Sequence, residues 1–160
     1  MAKVITFSEK FPPYHPRAGE PTYFPQMICQ GVYPYIPIIA INADPFLTAM
    51  ISSPKYHTIR VGNRFKEGDY FSPRVWSDKP YKSKQQSFCD DIEVKKVFDI
   101  SILETYEVFI NGSFYGSFGS ENLNILAQND GLSHNDFRDW FIKKLPFKGQ
   151  IICWSDKVNY

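Results

Sequence analysis

Residues 54–76 read PKYHTIRVGNRFKEGDYFSPRVW. Successive strand side chains alternate between faces, so His57, Ile59 and Val61 are expected to point one way and Thr58 and Arg60 the other. One face is then mostly apolar and the other polar and reactive. Gly68-Asp69 signals a turn, after which Asp69 to Trp76 resumes a β-rich run. Pro73 lacks an N–H, so its position is expected at an edge or a bulge. Strand, glycine turn and second strand are together expected to make the corner of a barrel.

Upstream, Lys3 to Phe7 is a short strand, followed by the proline-punctuated passage FPPYHPRAGEPTYFPQM. A helix of about two turns is expected between Pro21 and Gly31, with Gly31 as its stop. Val32 to Asn42 is extended and apolar, and Asp44-Pro45 opens another short helix, because Asp suits an N-cap and Pro the first helical position. Downstream, Lys79 to Lys84 is a basic loop, and Gln85–Phe88 and Ile92–Ile100 are candidate strands. Asn111-Gly112 between two β-rich runs predicts a tight hairpin. Ser120 caps a helix to about Asn129; Ser133 with Asp136 starts another, carrying Phe137, Trp140 and Phe141 on one face. Gln150 to Trp154 closes the series as a strand.

The 160 residues fit one domain, with an elaborated segment over about 11–53, and the 43% hydrophobic and 17% aromatic content argues against disorder. No apolar run approaches the roughly 20 residues that span a bilayer. With no signal-like N-terminus, the expectation is a cytoplasmic protein without a membrane partner. Cys29, Cys89 and Cys153 form no CxxC pair, and their expected role is as small buried hydrophobes. No histidine pair has metal-ligand spacing, and no cofactor is expected.

Net charge is only +1, yet residues 55–84 hold eight Lys or Arg against three Asp or Glu. Interleaved with Tyr70, Phe71, Trp76 and Tyr81, that excess suits phosphates and stacked bases. It equally describes a solvated face with lysines lying over aromatic surface.

The run Lys55-Tyr56-His57-Thr58-Ile59-Arg60, the glycine-aspartate pair after it and the strand Val4-Ile5-Thr6-Phe7 resemble the ASCH family of the PUA-like superfamily. That resemblance covers the first strand, residues 55–70 and a short piece near Asp130. It implies an α+β, mainly β fold: a PUA-like antiparallel β-barrel with flanking helices. A doubly wound α/β fold is the weaker alternative, because helices do not alternate regularly with strands. The family includes small amidohydrolases that deacetylate acetylated cytidine, and members thought to bind RNA. In those enzymes the lysine and threonine of a KxxTxR pattern are catalytic and a later acid completes the set. The resemblance therefore implies Lys55, Thr58 and Asp130 as catalytic candidates, with Lys55 taking the Thr58 proton. Three positions depart from the pattern: Ser53 stands where the family has glycine, Pro54 intervenes, and Asp130 is one methylene shorter than the family's glutamate.

Two functions follow. One is binding of RNA or a modified nucleotide or nucleoside, with Arg60, Arg64, Arg74, Trp76, Tyr81, Lys82 and Lys84 as the contact set. The other is hydrolysis of an acylated nucleoside. Binding stands ahead, because it inherits none of the three departures. His57 is expected as a satisfied core or interface residue, and the oligomeric state is left open.

Overall fold

The computed structural model describes residues 1–33 and 53–160. The extended run expected to Asn42 and the helix expected at Asp44-Pro45 lie outside the described residues, save for Val32 and Tyr33. The elements are β1 (Lys3–Thr6), α1 (Phe24–Val32), β2 (His57–Val61), β3 (Tyr70–Trp76), β4 (Gln85–Ser87), β5 (Ile92–Glu93), β6 (Lys96–Ile102), β7 (Val108–Ile110), β8 (Ser113–Gly116), α2 (Glu121–Asn129), α3 (His134–Phe141) and β9 (Phe147–Cys153). The fold is α+β and mainly β.

The strands form two sheets. One has the order β1-β3-β4, with β5 also on β3, and the other runs β2-β9-β6-β7-β8. All the pairs are antiparallel except β1 with β3, where Ile5 lies beside Pro73. The closed barrel expected from the sequence is not formed among the described residues. β1 and β2 are the edges at which the two sheets stay open.

Pro73 sits inside β3 rather than at an edge, and the pairing shows why that is tolerated. β5 covers only Tyr70 and Phe71, and β4 only Arg74 to Trp76. Pro73 falls in the gap between them, where its carbonyl accepts from Phe88 N–H at 3.3 Å. In an extended residue N and O point to the same side, so the missing N–H faces a place where no ladder acceptor waits.

The single strand expected over Ile92–Ile100 is two strands in different sheets. At the junction Val94 N–H donates to Asp69 O at 2.8 Å, whereas Lys95 N–H donates to Cys153 O at 2.8 Å. The chain passes from one sheet to the other within those two residues. The hairpin at Asn111-Gly112 forms with φ of 48° and 80°, the doubly positive pattern of a tight type I′ turn. Both expected caps are made: Ser120 accepts from Leu123 N–H and Ser133 from Asp136 N–H.

One apolar cluster spans both sheets and the helices, joining Ile5, Phe7 and Phe71 to Ile100, Ile151, Leu126 and Phe137. Part of the elaborated segment docks on α3. Tyr14 donates to Trp140 O at 2.8 Å, buried His15 lies 3.2 Å from Asp136 O, and Arg17 pairs with Asp136 at 2.8 Å. His15 is therefore part of a structural latch.

Candidate functional site

Lys55 lies just before β2, fixed through its backbone: its N–H donates to Met27 O at 3.0 Å and its carbonyl accepts from Trp154 Nε1 at 2.9 Å. Gly31, expected to stop α1, lies inside the last turn instead. A Cβ there would come within 2.3 Å of the Lys55 carbonyl, so this glycine serves close approach and not a cap.

The Lys55 side chain is 2% exposed and crosses to Asp130 at the C-terminus of α2. Nζ donates to Asp130 Oδ1 at 2.5 Å and also to the Asp130 backbone carbonyl. Phe24 lies beneath the ammonium, 4.4 Å from Nζ to the ring centre. Lys55 and Asp130 form a buried pair. Burial pulls the Lys55 ammonium below its ordinary value, against the opposing pull of Asp130. Burial pushes the Asp130 carboxyl up, but Lys55 and His57 outweigh it and hold the group below the usual carboxylate range.

His57, read from sequence as a core residue, belongs to this cluster. Asn129 Nδ2 can only donate, and it reaches the Tyr160 hydroxyl oxygen at 3.0 Å. The Tyr160 hydroxyl also lies 2.6 Å from His57 Nε2, and which of the two donates follows the imidazole tautomer. Nδ1 lies 3.6 Å from Asp130 Oδ1, too far for a hydrogen bond, and has no hydrogen-bond partner among the described residues. Burial lowers the His57 value, consistent with a neutral ring at pH 7. The signal available in sequence was position: His57 lies two residues after Lys55.

Thr58 is also buried, but its hydroxyl accepts from Arg60 Nε at 3.2 Å. Among the described residues no hydrogen bond joins it to Lys55 or Asp130. The structure thus brings Lys55 and Asp130 together and leaves Thr58 on Arg60, with which it shares a strand face.

Arg60 connects this region to a cleft of about 300 Å³ between the two sheet edges. One terminal nitrogen of Arg60 donates across the gap to Thr6 O at 2.9 Å, and the guanidinium lies 5.1 Å from the Phe7 ring centre. The lining includes Arg60, Arg64, Phe65, Trp76 and Tyr81, and contains no Asp or Glu. Of the expected contact set, Arg74, Lys82 and Lys84 do not line it. Arg74 bonds Ser72 Oγ at 3.2 Å, while Lys82 and Lys84 lie exposed on the loop beyond β3. Lys55, Thr58 and Asp130 are not in the lining either.

The loop that carries Tyr81 is braced internally. Ser77 N–H reaches Lys84 O at 2.9 Å, Ser83 N–H reaches Lys79 O at 3.0 Å, and Ser83 Oγ accepts from Asp78 N–H at 3.0 Å. Tyr81 has φ of 63°, unfavourable for a bulky residue, and its side chain is held out at 89% exposure with its ring 5.3 Å from that of Trp76.

Of the three cysteines only Cys153 is buried as expected; Cys29 and Cys89 are half-buried. The neighbouring Cys89 thiol lowers Cys29 to about 7, while burial pushes Cys153 up to about 12. Among the described residues no group of three His, Cys, Asp or Glu is placed to hold a metal, and no helix is long and apolar enough to cross a membrane.

A pH dependence follows from Asp130. Its folded value lies below its unfolded one, so its contribution to stability is present above the unfolded pKa of about 4 and disappears as pH falls through the folded value. Urea midpoints measured from pH 7 to pH 2 are expected to drop in that acid window, and Asp130→Asn is expected to flatten the drop. An equally steep acid limb in the variant would assign it to other carboxylates.

Comparison with known proteins returns no family model, curated protein or solved structure that matches this chain.

Proposed function

We propose that the protein binds RNA or a nucleotide ligand in the cleft between β1 and β2, on a PUA-like, ASCH-type scaffold. The observation that carries this reading is the lining: two guanidinium groups, no carboxylate, and an aromatic pair at the rim. Arginine meets phosphate oxygens with paired donors, and exposed aromatic faces accept bases. Lys82 and Lys84 lie on the same loop as Tyr81 and extend the positive surface.

Titration with a short single-stranded RNA at two salt concentrations tests the reading. Affinity is expected to fall as salt rises, and Arg64→Ala to lower the salt slope by about one. Tyr81→Ala is expected to weaken binding by about 1–3 kcal/mol without altering that slope. RNA affinity unchanged in both variants would remove the cleft from the interaction.

Hydrolysis of an acylated nucleoside is the second reading, favoured by the contact between Lys55 and Asp130. Its test is deacetylation of acetylated cytidine by the wild type and by Thr58→Ala. Turnover that the substitution abolishes would put this reading first.

A further inference from the structure

Arg60 has three directions in which to donate, and the fold uses two. Nε is taken by Thr58 Oγ1 and one terminal nitrogen by the Thr6 carbonyl. Both partners are neutral. Among the described residues no carboxylate pairs with Arg60 or Arg64, and Asp130, the acid whose charge reaches Arg60, is bonded to Lys55. A half-buried guanidinium whose only partners are neutral oxygens is an unbalanced charge in a poorly solvated place. Arg64 adds a second positive charge to the same wall and again finds no acid. The cleft is thus short of one anion.

Size and shape narrow the rest. A volume of about 300 Å³ is at the small end for ligand pockets. The other polar groups in the wall are largely committed: Gln150 donates to Phe65 O at 3.0 Å and accepts from Phe65 N–H at 3.1 Å, so its amide is used at both ends. Those bonds hold the Gln150 amide to the Phe65 backbone. What remains on the rim is the exposed face of Tyr81, supported by Trp76. A duplex offers base edges in its grooves and keeps its base faces stacked inside. Only an unpaired base can lie on Tyr81.

The geometry points to a single unpaired nucleoside monophosphate unit as the ligand of the cleft, with its phosphate against Arg60 and Arg64 and its base on Tyr81. This rests on the binding reading above and goes further. It names a phosphorylated unit, whereas a neutral nucleoside would leave Arg60 unbalanced. The unit can arrive as a free mononucleotide or as one residue of a single strand.

The test uses the full-length protein, with cytidine, cytidine 5′-monophosphate, a short single-stranded RNA and the blunt duplex of the same sequence as probes, in calorimetric titrations. The monophosphate is expected to bind at least tenfold more tightly than cytidine and to compete with the single strand, and the duplex to bind at least tenfold more weakly than the strand. Arg64→Ala is expected to bring the monophosphate and cytidine to within about threefold of each other. Tyr81→Ala is expected to weaken both equally. Because both side chains are exposed, these variants keep the fold, which thermal unfolding verifies. Equal affinity for cytidine and its monophosphate would overturn the phosphate assignment. Duplex bound as well as single strand would overturn the unpaired base, and a strand that binds without competition from the mononucleotide would overturn the single unit; in either case the binding reading stands. If none of the four probes binds, both readings fall together.

Discussion

Asp130→Ala is expected to destabilise the protein by about 3–5 kcal/mol, because it strands the Lys55 ammonium in a buried site with only a backbone carbonyl and the Phe24 ring beside it. Against the roughly 5–15 kcal/mol of a typical domain, that is enough to unfold a large share of the molecules on mild heating. The measurement is a urea midpoint with an unchanged slope. The companion experiment pairs Lys55→Met with Asp130→Leu. Removing both charges together is expected to recover most of the loss, since the cost lies in the unmatched charge and not in the absence of the pair. If Asp130→Ala unfolds no more easily than wild type, the pair is open to water and the buried-cluster description fails.

Gly149→Ala is expected to cost about 2–3 kcal/mol for a different reason. Gly149 lies in β9 beside Val61, and a Cβ there would stand 2.1 Å from the Arg60 carbonyl oxygen and 2.8 Å from its carbon. Backbone cannot yield as a flexible side chain can, so β2 has to move away from β9. Arg60 moves with it, and the variant is expected to lose ligand affinity along with stability. Gly62→Ala is the control. Its φ is 83° but nothing lies within 4 Å, so only the left-handed backbone is penalised, by about 1–2 kcal/mol. Thermal unfolding of the two variants, with the RNA titration beside it, checks the contrast. A smaller loss at Gly149 than at Gly62 would show that the strands part without resistance.

Local chemistry was legible in the sequence and sheet membership was not. Asn111-Gly112 fixes two positive φ values, and Ser120 and Ser133 each cap a helix within three residues, so nothing distant decides them. The run Ile92–Ile100 looks like one strand because alternation records a face but not a partner; only the bonds from Val94 to Asp69 and from Lys95 to Cys153 divide it. Barrel closure was beyond reach for the same reason. The contact between Lys55 and Asp130, 75 positions apart in the chain, was suggested by resemblance alone. No period or spacing in the chain links those two residues. His57 was assigned to the core on its apolar face, and its link to Tyr160 depends on how the segment after β9 returns over β6, where the Tyr160 ring lies 5.4 Å from Phe98. Composition marked residues 55–84 as basic, yet it carried no sign of which cations face the cleft. That is decided by the loop that holds Tyr81 exposed at the rim beside Trp76 and leaves Lys82 and Lys84 away from the cleft.

The strand order β2-β9-β6 places between two earlier strands one that follows both of them in the chain. During synthesis, which proceeds from the N-terminus at about 5–20 residues per second, β2 and β6 emerge with their facing edges unpaired and wait for residues 147–153. Through that interval the apolar side chains of Ile59, Phe98 and Ile100 have no central strand to lie beside. The nascent chain is most exposed to mispairing and to chaperone capture over this stretch, and the five-stranded sheet assembles only when β9 inserts.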